Sequence, residues 1–295
     1  MAKIAVELER ALAQREVSDG PGYQAPRMLA RGAGWTVEDV ICTSGPRDRP
    51  FEERHSRISI AIVAAGSFQY CSTFGRDLMT PGSLLLGNAG QCFECRHEHG
   101  MGDHCISFGY TPEYFEDLAA GAGLRPHFPV LRLPPLRVLS PVVARAFRGL
   151  TGLGGIAWEE LGVELATQAL RLAGGVGPGV TEATPSAVAR VTRAVRAIDQ
   201  QPAAPRTLGD LARDARLSVY HFLRTFEQVT GVTPHQYILR ARLREAALRL
   251  AEPVRILDVA LDCGFGDLSN FNRTFRAEFG VSPRVFRASR GPREE

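Results

Sequence analysis

Residues 91–105, QCFECRHEHGMGDHC, crowd three of the chain's six cysteines (Cys92, Cys95, Cys105) against His97, His99 and His104. Two thiolates at Cys-x-x-Cys spacing chelate zinc or copper(I) when the residues between them turn. On that reading Cys92, Cys95, His97 and Cys105 are the ligands, with Cys71, His99 and His104 as further donors. If the segment is a straight strand, Cys92 and Cys95 point to opposite faces and cannot share an ion. Phe93, Cys95, His97 and His99 then share one face, and the buried thiol acts as a small apolar filler. A redox pair is the third reading. Residues 100–103, GMGD, form a turn under all three.

The elements that must hold this cluster can be read around it. The chain has 295 residues, 44% hydrophobic and 23% charged, enough for two domains with separate cores. No apolar run is long enough to span a membrane. The N-terminus lacks the basic-then-apolar layout of a signal peptide, and reads as an amphipathic helix with Ile4, Leu8, Ala11 and Leu12 on one stripe. A cytoplasmic protein is expected, in which six cysteines stand as free thiols, metal ligands or redox sensors. From about Val37 to Tyr110 short strands alternate with Gly and Pro turns, and Ile58, Ile60 and Ile62 recur at period two. That pattern suits a β-barrel or sandwich. Residues 140–173 turn helical, with Leu161, Leu165, Ala169 and Leu172 on one stripe, which either covers the barrel or pairs with a second copy. Residues 174–185, GGVGPGVTEATP, have linker composition.

Beyond the linker one segment is written twice. Residues 208–234 and 256–283 align so that Phe226 matches Phe275, Gly231 matches Gly280 and Pro234 matches Pro283, each pair 49 positions apart. Each copy reads as helix, tight turn, helix. Ser218 and Asp267 are natural N-caps, Gly264 supplies a turn, and Phe222, Phe226, Phe271, Phe275 and Phe279 form apolar stripes. This is the helix-turn-helix layout, whose second helix fits a DNA major groove. Residues 235–253 contain no internal Gly or Pro and supply a stiff connecting helix. Charge agrees: from Pro185 onward 18 Arg face 12 acidic residues, against 17 basic and 20 acidic residues before it.

The segment from about Ser186 to Arg287 resembles the DNA-binding domain of AraC-type (AraC/XylS) transcription regulators. The resemblance rests on Leu211-Ala212, Arg224, Phe226, Thr230-Gly231, Pro234, Tyr237, Arg242, Ala246, Leu250, Ala260, Gly264-Phe265, Phe271, Arg273, Phe275, Phe279-Gly280 and Ser282-Pro283. It implies an α+β chain: an N-terminal cupin-like β-barrel with a helical pair, then an all-α C-terminal domain with two helix-turn-helix motifs. The implied division is a sensor domain over 1–139, a dimerisation segment over 140–173, a linker over 174–185 and a DNA-binding domain over 186–290. It implies base or phosphate contacts from Tyr220, Leu223 and Arg224 in the first motif, and from Leu268, Ser269, Asn272 and Arg273 in the second. Arginine pairs with guanine edges, asparagine with adenine, and leucine with thymine methyls. Arg190, Arg193, Arg206 and Arg255 are read as backbone contacts or solvated charge.

The implied partners are promoter DNA, RNA polymerase, a second copy of the chain and a small-molecule or metal effector. No enzymatic activity is implied. His97-x-His99 with Asp103 resembles the metal motif of enzymatic cupins, but here it follows the 75–81 hairpin that it precedes there. A DNA-repair methyl acceptor also joins a cysteine-bound zinc to an AraC-like domain. Its acceptor sequence is absent, and the spacing of Cys71, Cys92, Cys95 and Cys105 departs from its pattern.

Overall fold

In a computed structural model the chain is described over residues 2–50, 52–98, 100–150, 156–175, 183–250 and 252–288, with side chains from residue 7 onward. It divides into two units: Ile4–Leu139 with Ala157–Thr184, and Met1–Lys3 with Ser140–Ile156 and Pro185–Glu295.

The first unit is built on antiparallel ladders. Helix α1 (Ala2–Ser18) precedes strands β1 (Gln24–Gly32), β2 (Trp35–Cys42), β3 (Glu53–Arg54), β4 (Ile58–Gly66), β5 (Phe68–Ser72), β6 (Gly75–Met79), β7 (Leu84–Gly87), β8 (Cys92–Arg96) and β9 (Asp103–Tyr110). Then follow α2 (Pro112–Gly121) and the two-residue β10 (Arg132–Leu133). One sheet has the order β1-β2-β9-β4-β7-β10 and the other β3-β8-β5-β6. The isoleucines at period two in β4 are buried, as their spacing predicts. Ala61 and Val63 from the first sheet pack with Phe68 and Tyr70 from the second in one core.

The chain passes from the first sheet to the second at Gly66, where φ is +76 and a Cβ would lie 2.3 Å from the Gly102 carbonyl oxygen. Only glycine fits that corner. The expected cupin-like barrel is not closed. Among the described residues the sheets share a core but no hydrogen-bonded edge, and two of the free edges are β3 and β10, each two residues long. Ladders that short cannot complete a ring.

Helices α3 (Ser140–Leu150) and α4 (Trp158–Gly174) come next in the chain. The sequence pattern runs them together over 140–173, yet they fall in different units. The α4 stripe of Leu161, Leu165 and Ala169 is buried, the Tyr110 hydroxyl donates to the Gly162 carbonyl at 2.8 Å, and Trp158 packs on Phe108. The linker residues 176–182 lie outside the described residues.

The second unit is helical: α3, then α5 (Pro185–Gln200), α6 (Leu208–Asp214), α7 (Val219–Thr230), α8 (Pro234–Arg249), α9 (Ile256–Asp262), α10 (Leu268–Phe279) and α11 (Pro283–Ala288). Proline opens α5, α8 and α11, at the position where its missing N–H costs nothing. Around α9 and α10 the core gathers Phe265, Phe271, Phe275, Phe279 and Phe286, and α3 adds Ala144 to it.

Candidate nucleic-acid interface and buried cysteine–histidine cluster

Helices α6 and α7 form one pair, α9 and α10 another. In the first, Thr207 caps α6 in a reciprocal box with Asp210: the Asp210 N–H donates to Thr207 Oγ1 at 3.1 Å, and the Thr207 N–H to Asp210 Oδ2 at 3.0 Å. Ser218 Oγ accepts from the His221 N–H at 3.3 Å. In the second, Asp267 Oδ1 accepts from the Asn270 N–H at 2.7 Å. Both second helices end on a left-handed glycine, Gly231 and Gly280, each at φ +77. Ser218 and Asp267 cap where their spacing predicts; the Thr207–Asp210 box and the two left-handed glycines add to what the spacing indicates.

Burial aims each second helix. Phe222 and Phe226 on α7, like Phe271 and Phe275 on α10, have no solvent exposure. Each such ring contributes about 2–3 kcal/mol of burial, and the stripe turns the opposite face to solvent. On α7 that face carries Tyr220, 67% exposed, and Arg224, with Leu223 half-buried beside them. On α10 it carries Ser269, Asn272 and Arg273. Arg273 Nη2 donates to Asn270 Oδ1 at 3.1 Å. Leu268 differs from the other expected contact residues, because it packs against the phenylalanine core. An apolar side chain at the first turn of α10 gains more from that core than from water.

Helix α8 joins the two pairs and is pinned along its length. The Tyr237 hydroxyl donates to Asp199 at 2.7 Å, and Arg244 pairs with the same carboxylate at 3.2 Å. Arg242 donates to the Pro202 and Gly264 carbonyl oxygens, both at 2.9 Å, and so ties the turn of the second pair to the loop after α5. Arg242 figured in the sequence only as a shared residue. Its role as a strut depends on a fold that brings residues 22 and 40 positions away to one guanidinium.

The cysteine–histidine stretch becomes a strand and a turn. Cys92–Arg96 is straight β8, so Cys92 and Cys95 lie on opposite faces and do not form a chelating pair. Cys92 lines an open cleft of about 400 Å³ with Cys71, Arg76, Glu94 and Arg96. Cys95 turns inward with Phe93 against the shared core that contains Cys105. His99 lies outside the described residues.

In place of the expected quartet, His97 meets Asp103 and Cys42, whose ligand atoms all lie within 4.8 Å of one another. His97 Nε2 and Asp103 Oδ1 are 2.6 Å apart, and the Cys105 thiol donates to Asp103 Oδ2 at 3.2 Å. Burial opposes a charge on His97, but hydrogen bonds to Asp103 and Cys42 outweigh it and raise the imidazole to about 9. The Cys95 and Cys105 thiols are pushed well above the ordinary range, first by burial and then by the Asp103 charge. Such thiols carry little thiolate at neutral pH, which argues against a reactive redox pair.

A second group, half-buried Glu7 of α1 with buried Asp39 and His104, lies on the other face of the β2–β9 ladder. Asp39 hydrogen-bonds His104 and pairs with Arg27 at 2.6 Å. Burial opposes the carboxylate charge, and these two hydrogen bonds overcome it, holding the group below the usual range. Cys42, Asp39 and Glu7 were not singled out in the sequence. Cys42 stands directly opposite Asp103 in the ladder, a register that only strand pairing reveals.

The helical unit, with its capped helix pairs and exposed arginine-bearing faces, has the form of a helix-turn-helix DNA-binding protein. Residues 211–289 match the helix-turn-helix domain family. The chain is 39% identical over 82 residues to the HTH-type transcriptional activator RhaS of Klebsiella pneumoniae, a match covering 28% of this chain and 30% of that protein. It is 40% identical over 78 residues to the probable transcriptional regulator LumQ of Photobacterium leiognathi, covering 26% and 32%. The chain therefore spans about a third of the length of these curated relatives. Among solved structures, an AraC-type DNA-binding-domain regulator from Chromobacterium violaceum is 30% identical, covering 35% of this chain and 94% of that one, with a TM-score of 0.33. ToxT of Vibrio cholerae is 12% identical over 86% of this chain and 97% of its own, with a TM-score of 0.37. The chain's C-terminal segment, residues 211–289, belongs to the helix-turn-helix domain family and is of the AraC/XylS type. These relatives are transcription regulators, not enzymes.

Proposed function

We propose that the chain regulates transcription by binding promoter DNA through both helix pairs, each laying its second helix in a major groove. The observation that carries this is the duplicated exposed face: Tyr220 and Arg224 on α7, and Ser269, Asn272 and Arg273 on α10, each set opposite a buried phenylalanine stripe. Leu223 sits at the margin of the first face, and Leu268 supports the second from beneath. The stiff, pinned α8 suits two motifs that must keep a fixed spacing on the duplex. Activation is the role that the relatives named as activators suggest; contact with RNA polymerase and binding as a homodimer are what the AraC-type resemblance implies.

The N-terminal unit, two sheets standing in place of a cupin-like barrel, is the part that receives the signal. Against the DNA-repair reading stand the missing acceptor sequence and the departing spacing of Cys71, Cys92, Cys95 and Cys105.

The test is operator binding measured by fluorescence anisotropy, on a site selected from genomic fragments. Arg273→Ala and Arg224→Ala should each weaken specific binding by about 1–3 kcal/mol. Unchanged affinity in both variants would sink the proposal.

A further inference from the structure

The geometry points to a site for one zinc ion in the N-terminal unit, held by Cys42 Sγ, the imidazole of His97 and the carboxylate of Asp103. We infer this independently of how the chain binds DNA.

Three separate elements deliver the three donors. Cys42 ends β2, Asp103 opens β9 directly opposite it, and His97 follows β8 of the other sheet. All three residues are 5% exposed. Tetrahedral zinc, with sulfur at about 2.3 Å and nitrogen or oxygen at about 2.0–2.1 Å, spaces neighbouring ligand atoms about 3.3–3.6 Å apart. The three atoms already lie within 4.8 Å of one another. The closest pair, His97 Nε2 and Asp103 Oδ1 at 2.6 Å, needs to open by less than about 1 Å to exchange a shared proton for a metal ion. Cys105 is placed to steady the carboxylate, since its thiol holds the other oxygen at 3.2 Å. Carboxylate ligands are commonly oriented by such an outer hydrogen bond.

The ligand chemistry selects the ion. One thiolate, one imidazole and one carboxylate favour a borderline-soft ion over magnesium or calcium. Charge selects the site over its neighbour. At Glu7, Asp39 and His104 an arginine already neutralises the carboxylate. Around Cys42, His97 and Asp103 no arginine pairs with Asp103 among the described residues, and a divalent ion would balance thiolate and carboxylate together. Three protein ligands leave a fourth coordination position for water or a small ligand, the arrangement of exchangeable rather than closed structural sites.

The experiment uses the full-length chain, reduced and stripped with a chelator, then titrated separately with zinc and cobalt(II). Zinc is followed by competition with a chromophoric chelator, cobalt by absorption. The expected result is about one ion per chain, with a thiolate-to-cobalt charge-transfer band. Cys42→Ala should abolish that band and weaken zinc binding by at least about 100-fold. Asp103→Asn, nearly isosteric, should weaken zinc binding but retain the band. Cys92→Ala should behave as wild type. Circular dichroism identifies any variant that has not folded, and the wild-type cobalt spectrum stands without variants. A folded wild-type chain that takes up no stoichiometric zinc overturns the inference. So does a cobalt complex without a thiolate band, or a loss in Cys92→Ala equal to that in Cys42→Ala.

Discussion

The two helix pairs of the C-terminal unit share the caps of their second helices and their phenylalanine cores but not their turns. The first turn passes through Arg216 at φ +54, a left-handed conformation that costs a side-chain-bearing residue about 1–2 kcal/mol. The second passes through Gly264 at φ +83, one residue longer, where a Cβ would stand 3.0 Å from the Ala203 carbonyl oxygen and 3.1 Å from Arg242 Cζ. The first turn tolerates a side chain because it faces water. The second excludes one because the loop after α5 and the Arg242 strut press against it. A duplicated motif thus keeps what its core demands and diverges where its surroundings differ.

The strongest feature common to the two pairs is the buried phenylalanine ring. Phe226→Ala and Phe275→Ala should each cost about 3–5 kcal/mol in denaturant unfolding. Near-equal losses support equivalent cores; a loss below about 1 kcal/mol in one alone would show that its pair is not held by the ring. The turns come next. Gly264→Ala should destabilise by about 2 kcal/mol, from the unfavourable φ plus the crowding. Arg216→Gly should move stability by less than about 1 kcal/mol, since relief of strain opposes added freedom in the unfolded chain. Equal thermal shifts for these two variants would refute the contrast between the turns. The caps should show the smallest effect: Ser218→Ala and Asp267→Ala should each lose about 1 kcal/mol, so a difference much beyond that between them would mean one cap has a further role.

How much could be read beforehand follows from the range of the forces involved. Caps, turns and the phenylalanine stripe are set within a few residues, so Ser218, Asp267, Gly264 and Phe275 fall where their spacing puts them. Exposure of Arg224 and Arg273 follows from the same periodicity. Strand register is long-range. That Cys42 would face Asp103, and that β3 and β10 would be too short to close a barrel, depended on ladders joining distant segments. The Cys92–Cys95 pair looked like a chelate because spacing alone does not distinguish a turn from a strand. Leu268 looked exposed because its position on the helix does not reveal the core beneath it.

Helix α3 alters what a domain boundary means in this chain. It precedes α4 and the 174–185 segment, yet Ala144 joins the core around Phe275, Ser140 hydrogen-bonds Glu278, and Arg148 lies over the Phe286 ring. The backbone therefore enters the helical unit, leaves it and returns before the duplicated motifs begin. A fragment trimmed to start after the linker would discard a wall of its own interior, leaving Phe286 and the buried side of α10 newly wetted. Anyone preparing the DNA-binding portion alone should expect better yield and a sharper melting transition from a piece that carries residues 140–150 than from one that begins at Pro185.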